Sequence, residues 1–139
     1  MKKVALGLFS VLFLSFIIAA QPGPDQAPTE DIVIQVSPQT ILLGRDANSG
    51  NVWITIHAEI LYSKAYEAVS VEIKNSVATI LGNFDATSTF ADNRGELVAK
   101  FIYDDIAGIL GPGPAILTLV VKNGDIISSG SDDVRVVQR

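Results

Sequence analysis

Apolar and polar residues alternate along most of the chain, and this period of two constrains its fold more than any other feature. In the clearest run, residues 52–61, Ile54 and Ile56 fall on one side while Thr55 and His57 fall on the other. Successive side chains of a β-strand point to opposite faces of a sheet, so the run predicts a half-buried strand. The other alternating segments are residues 32–36, 69–74, 97–103, 115–122 and 134–136.

The choice of apolar residues also favours strands over helices. From residue 32 onward the chain has 26 isoleucines and valines against 8 leucines, and β-branched side chains fit a pleated sheet well. Asn123-Gly124 is typical of a type I′ hairpin turn. Only residues 104–110 predict a short helical turn, with Asp104 as its N-cap. Seven or eight short strands separated by turns predict an all-β protein with the architecture of an antiparallel β-sandwich.

The N-terminus has the order of a secretory signal peptide. Lys2 and Lys3 precede an apolar run at residues 4–20, which ends in the small residues Ala19 and Ala20. We therefore expect a signal peptide over residues 1–20. The alternative is an uncleaved membrane anchor, because 17 apolar residues are about the lower limit for crossing a bilayer. Residues 21–31 contain three prolines and predict a flexible linker, so the folded domain is expected at residues 32–139.

Composition narrows the compartment and the partners. Without residues 1–20, Lys and Arg fall to 8 against 15 Asp and Glu, a net charge of −7. Such an acidic domain is not expected to bind nucleic acid or anionic membrane surfaces. The chain has no cysteine, so it forms no disulfide and no thiolate metal site. Export without disulfides or Asn-X-Ser/Thr sites favours a prokaryotic protein that is secreted, extracellular or periplasmic.

Several segments, taken in order, resemble a known class of module. They are Ser37-Pro38 with residues 40–44, then residues 53–59, 70–73, 96–101, 117–121 and 130–136. Together they resemble the small immunoglobulin-like β-sandwich modules of secreted, often modular, bacterial and archaeal proteins. The resemblance covers about residues 32–137 and implies an immunoglobulin-like fold. In such modules the segment before residue 96 often resembles a calcium loop, and here Asp92 and Glu96 keep its acidic positions.

Calcium is the best metal candidate, and no other cofactor is expected. Asp85, Asp92, Asn93 and Glu96 place hard oxygen ligands in one segment. Because calcium takes six to eight oxygens, backbone and water would have to supply the rest. The alternative is a solvated hairpin loop.

The sequence contains no converging set of catalytic residues. His57 is the single histidine, and the strand pattern turns it outward. Neighbouring residues of a strand point to opposite faces, so Asp132 and Asp133 are not expected to act as a pair. The sequence therefore predicts a protein that is not an enzyme.

An apolar patch is predicted on the outward side of one sheet. Trp53, Val98 and Ile102 all point outward if their strands share that sheet, and an apolar outward face suggests a partner. The alternative is that long neighbours such as Lys100 cover the patch. Tyr62 and Tyr66 lie in one loop, and with Trp53 they are candidates for stacking on sugars.

These observations predict an exported, non-catalytic interaction or structural module. Its partner would be another protein, a cell-surface component or a second copy of the chain. The alternative function is a carbohydrate-binding module that uses the exposed aromatic residues.

Overall fold

The structure, a computed structural model, describes residues 29–44, 52–62 and 66–138. The predicted signal peptide and most of the predicted linker lie outside these ranges. Ten strands and one short helix occupy the described residues. The strands are β1 (Thr29–Asp31), β2 (Ile34–Ser37), β3 (Thr40–Leu43), β4 (Trp53–Leu61), β5 (Ala68–Asn75), β6 (Ile80–Asp85), β7 (Ser88–Ala91), β8 (Glu96–Ile102), β9 (Gly113–Asn123) and β10 (Ile126–Gln138), and helix α1 (Tyr103–Ala107) follows β8.

Two sheets form an open sandwich. The six-stranded sheet has the order β1-β10-β9-β5-β6, with β3 also paired to β10, and the four-stranded sheet has the order β2-β4-β8-β7. Every pair is antiparallel except β1 and β3, which run parallel to β10. The predicted antiparallel β-sandwich with one short helical turn is confirmed.

The inward faces follow the predicted alternation. Ile54, Ile56 and Ala58 of β4 are buried, and they face Val71 and Ile73 of β5 across the core. Burial of each such side chain stabilises the fold by about 1.5–3 kcal/mol. The remaining core side chains are Ile34, Val36, Ile41, Leu97, Ala99, Phe101, Tyr103, Ile106, Leu110, Ala115, Leu117, Leu119, Val121, Val134 and Val136.

Two short strands, β1 and β7, form where the sequence shows no clear alternation. β1 begins at Thr29, within the segment expected to be linker, because a parallel partner on β10 supplies its hydrogen bonds. The segment between residues 84 and 96 was expected to be a loop. Instead β6 runs on to Asp85 and β7 follows as the edge of the other sheet. β1 and β7 bury little of either face, so their sequences need not alternate.

Helix α1 differs from its prediction at its start. The N-cap is Ile102, which makes no side-chain cap hydrogen bond, and Asp104 lies in the first turn instead of capping it. The prediction that Asp104 is the N-cap was therefore wrong, because strand β8 runs directly into the helix. The helix is fixed by packing, since Tyr103 and Ile106 are buried. The Tyr103 hydroxyl also accepts a 2.7 Å hydrogen bond from the Leu42 amide of β3.

The N-terminal strands cross between the two sheets beside Gly130. β1 belongs to the six-stranded sheet, β2 to the four-stranded sheet, and β3 returns to the first. At the first crossing the Ile32 amide donates to the Ser129 carbonyl at 2.9 Å. A Cβ atom built on Gly130 would lie 2.1 Å from the Ile32 carbonyl oxygen. Only glycine allows this close approach of two backbones.

A single carboxylate covers the free edge of β2 at Val36. Oδ2 of Asp132 accepts hydrogen bonds from the Val36 amide at 2.9 Å and from the Gln39 side-chain amide at 2.7 Å. The same Gln39 amide donates to the Val36 carbonyl at 2.6 Å. Both backbone groups of Val36 that face away from β4 are therefore satisfied by side chains, which is one way that proteins protect an edge strand.

Gly130→Ala is expected to destabilise the fold by about 2 kcal/mol or more, because backbone must move to admit the new methyl group. The measurement is the midpoint of urea unfolding. Gly111→Ala is the matched control, because a Cβ there meets nothing within 4 Å. Equal midpoints for the two variants would contradict the crossing described above.

Asp132→Ala is expected to cost about 1–3 kcal/mol, because it leaves the Val36 amide and the Gln39 side chain without their acceptor. The neighbouring Asp133 is exposed and provides the control variant Asp133→Ala. Unfolding midpoints that fall equally for both variants would argue against a special role of Asp132.

Candidate functional site

One side of the four-stranded sheet faces away from the core and carries the candidate site, here called the outer face. Its side chains are Gln35 and Ser37 of β2, Trp53, Thr55 and His57 of β4, Val98, Lys100 and Ile102 of β8, and Ser88 and Phe90 of β7. Trp53 lies directly opposite Ile102 in the β4–β8 ladder. The structure therefore brings together these two residues of the predicted patch.

Lys100 lies at the centre of the outer face, between two aromatic rings. Its Nζ atom is 5.7 Å from the centroid of the Trp53 ring and 5.6 Å from that of Phe90. Trp53 and Phe90 are its diagonal neighbours on the two flanking strands, positions that long side chains can reach. A cation this close to ring faces is attracted by the ring electrons. Within the described part of the chain, no carboxylate forms an ion pair with Lys100.

Val98 has the predicted outward orientation but lies beneath its neighbours. Val98 points to the outer face but is only 1% exposed. His57 lies directly opposite it on β4 and Phe90 directly opposite it on β7. Because these larger side chains flank it on both sides, Val98 forms the floor of the patch, not its surface.

Phe90 belongs to the patch although the sequence did not single it out. It is 42% exposed, and Ile102 is 43% exposed. The only local signal was an apolar aromatic residue between Thr89 and Ala91, in a segment expected to be loop. The outer face thus keeps exposed apolar surface on both sides of Lys100, so the lysine covers the patch only in part.

Tyr62 and Tyr66 form a separate cluster. Their rings meet edge to face, with centroids 6.2 Å apart and planes at 82°. The Tyr66 hydroxyl donates a hydrogen bond to the Leu61 carbonyl. Burial raises the pKa of Tyr66, and the nearby Glu30 carboxylate raises it further. A groove of about 250 Å³ adjoins the pair and is lined by Tyr62, Tyr66, Glu67, Ala68, Val69, Ala86, Thr87, Ser88 and Thr89.

The three candidate sugar-stacking residues do not share one platform. Trp53 begins β4, whereas Tyr62 follows its last residue, so about 30 Å of extended strand separates them. A ligand that contacts Trp53 through the outer face therefore does not reach the tyrosine groove with the same sugar unit.

The candidate calcium ligands are divided between the two sheets. Asp85 ends β6 of the six-stranded sheet, whereas Asp92, Asn93 and Glu96 lie at the β7–β8 turn of the other sheet. Oδ1 of Asp92 accepts hydrogen bonds from the Arg94 and Glu96 amides at 2.8 and 3.0 Å.

Arg94 supplies positive charge at this turn. Its guanidinium lies 2.9 Å from Oε1 of Glu96 and 3.9 Å from Oδ2 of Asp92. Among the residues described by the structure, no group of three or more His, Cys, Asp or Glu side chains could hold a metal ion. The arrangement is that of a charged hairpin turn, and the calcium prediction finds no support in this geometry.

His57, Asp132 and Asp133 are the remaining candidates for acid–base catalysis, and they do not form a shared site. His57 is exposed on the outer face, opposite Gln35 and Val98. The Asp132 carboxylate is engaged with Val36 and Gln39, while Asp133 is exposed. No helix in the described ranges is long and apolar enough to cross a membrane.

Comparison with known proteins gives limited information. No protein-family profile matches the chain, and no curated protein matches it in sequence. The crystal structure of CopC from Methylosinus trichosporium OB3b is 14% identical, with a TM-score of 0.45 over 78% of this chain and 95% of that one. The sulfur carrier protein SoxY from Chlorobium limicola f thiosulfatophilum is 16% identical, with a TM-score of 0.38 over 81% and 86%. Similarity at this level indicates no ligand, and the fold assignment above rests on the strand order.

The turn at Asp92 gives a prediction of pH dependence. The hydrogen bond from the Glu96 amide, followed by that from Arg94 and the Arg94 charge, holds the pKa of Asp92 below its ordinary value of 3.8. A lowered pKa in the folded state means that the carboxylate stabilises the fold at pH values above 3.8. That contribution is lost as the pH falls through the lower folded pKa.

Asp92→Asn keeps the side-chain oxygen but removes the charge. Its stability deficit is expected to be largest at neutral pH and to shrink below pH 3.8. The measurement is urea unfolding of both proteins across this range, with Asp133→Asn as the exposed control. A deficit of equal size at every pH would contradict the assignment.

Proposed function

We propose that the chain is an exported, non-catalytic binding module that docks a protein partner through the outer face. The observation that carries this proposal is the Lys100 ammonium, held between the Trp53 and Phe90 rings without a carboxylate partner in the described part of the chain. Aromatic residues, tryptophan above all, are enriched at the energetically dominant centre of protein interfaces. The proposal of export is supported by the signal-peptide pattern of residues 1–20, and an uncleaved membrane anchor is its alternative.

The charge of the site indicates the chemistry of the partner. The other described lysines lie near carboxylates, Lys74 by Glu72 and Lys122 by Glu67. Lys100 is the unneutralised cation on a face that also carries exposed apolar surface at Phe90 and Ile102. A partner that presents a carboxylate surrounded by apolar groups would satisfy both features.

Trp53→Ala is expected to weaken partner binding by about thirtyfold or more, because truncating a central interface aromatic typically costs about 2 kcal/mol. The measurement is a quantitative pull-down from the surface fraction of the producing organism, followed by titration of the recovered partner. Lys100→Gln is the second variant, and it should also reduce the dependence of binding on salt.

Val77→Ala provides the matched control, because Val77 is 77% exposed and lies on the turn between β5 and β6, outside the outer face. It should recover the partner as well as the wild type does. Equal recovery by wild type, Trp53→Ala and Lys100→Gln would show that the outer face is not the docking surface.

Carbohydrate binding is the second candidate, and one observation favours a specific place for it. The groove beside Tyr62 and Tyr66 is lined by these aromatic residues and by three consecutive residues that carry hydroxyl groups, 87–89. Rings that stack on sugar faces and hydroxyls that bond to sugar oxygens are the usual components of such sites. Trp53 would not take part.

Tyr62→Ala is then expected to abolish retardation of the protein in gels that contain the bound polysaccharide, while Trp53→Ala leaves it unchanged. Affinity electrophoresis against a panel of neutral and acidic polysaccharides measures this. Unretarded migration of the wild type throughout the panel would remove the second candidate.

A further inference from the structure

The two edge strands of the four-stranded sheet, β2 and β7, differ in the partners of their outward backbone groups. At β2, the Asp132 and Gln39 side chains occupy the outward backbone groups of Val36. At β7, the other edge, no strand and no side chain of the described residues does the same. β7 has the sequence Ser-Thr-Phe-Ala, without the lysine or proline that often protects an edge.

The hydrogen-bond pattern between β7 and β8 shows which backbone N–H and C=O groups of β7 point away from the sheet. The Asp92 amide donates to the Glu96 carbonyl at 2.8 Å, and the same ladder pairs Phe90 with Val98. In an antiparallel ladder only alternate residues bond to the neighbouring strand. The N–H and C=O groups of Phe90 therefore point to β8, and those of Thr89 and Ala91 point away from the sheet. Within the described residues these groups have no hydrogen-bond partner.

We infer that the β7 edge pairs with the β7 edge of a second copy of this chain, joining two four-stranded sheets into one of eight strands. The free groups are complementary to themselves. In a two-fold antiparallel pairing centred on Phe90, Thr89 of each copy faces Ala91 of the other. All outward N–H and C=O groups of these residues then form four hydrogen bonds between the copies.

The same register matches the side chains of the outer face. The two Phe90 side chains become directly opposite neighbours in a non-hydrogen-bonded pair, where cross-strand side chains are closest. Phe90 is 42% exposed in the single copy, so the pairing covers apolar surface. The register also places Asp92 of the second copy across the small Ser88 from Lys100, which lies opposite Ser88 on β8.

Charge complementarity therefore favours a second copy as the occupant. Lys100 and Asp92 of the second copy lie in one row, with their strands about 10 Å apart, so the two opposite charges attract each other across Ser88 and the two-fold axis repeats this arrangement. Asp92 keeps the hydrogen bonds that it accepts within its own turn. β7 itself is uncharged, although the predicted mature chain carries a net charge of −7, so the strands meet without direct like-charge contact. Four residues bury little area, and the association is expected to be concentration-dependent.

The test is the mass of the protein in solution. The full chain, purified after expression with its own N-terminal segment, is examined by sedimentation equilibrium over a hundredfold range of concentration. The weight-average mass of the wild type should rise toward twice that of the single chain. Thr89→Pro removes one outward N–H without touching the ladder to β8, and should weaken self-association at least tenfold. Thr89→Val keeps that N–H and should behave as the wild type does.

Phe90→Glu provides an independent variant in case the proline disturbs β7, because it places two carboxylates opposite each other while leaving the backbone unchanged. It should remain a single chain at all concentrations. Trp53→Ala should self-associate as the wild type does, which separates this proposal from docking through the outer face. A second readout is amide exchange at Thr89 and Ala91, which should slow at least tenfold as the concentration rises.

Three results would overturn the inference: a constant single-chain mass for the wild type, self-association of Thr89→Pro equal to that of the wild type, or unprotected Thr89 and Ala91 amides in the associated protein. Loss of self-association in Trp53→Ala, with those amides still unprotected, would place the contact on the outer face instead.

Discussion

The pairing of β10 with three other strands is the constraint on which the rest of the sandwich depends. β10 bonds to β9 along its length, to β1 near its start and to β3 near its end. Between those two parallel pairings the chain leaves for the other sheet and returns, and Gly130 leaves room for the crossing. The first and last strands of the described chain are thereby locked together. In a protein without cysteine, this backbone pairing joins distant parts of the chain in the way that a disulfide does elsewhere.

The sequence pattern predicts those strands that have one buried face and one exposed face. β4 and β9 each have one side toward the core and one side away from it, so buried residues such as Ile54 and Leu117 recur at every second position and could be placed from the pattern. β7 is an edge strand with little buried on either side, and its sequence carries no such period. β1 exists because β10 offers it a parallel partner, a contact that no local pattern encodes.

The candidate site was predicted in part for the same reason. Trp53 and Ile102 could be placed together because their strands alternate clearly and pair as neighbours. Val98 could not be predicted as buried, since its cover comes from His57 and Phe90 on two different strands. The separation of Tyr62 from Trp53 could not be predicted, because it depends on the length of β4 and on the direction that the chain takes after β4. The N-cap was predicted at Asp104, two residues beyond its position at Ile102, because β8 continues into the helix without a loop.

The capped edge at β2 has a consequence for the size of any assembly built from these sheets. Asp132 and Gln39 leave the outward groups of Val36 with no bonds to offer. A sheet that can be lengthened on one side only has no way to propagate, because each added molecule uses up the single growing end. Head-to-tail stacking into a fibril needs two receptive edges on every subunit. The placement of one aspartate thus blocks the addition of a further strand at Val36 on the β2 edge.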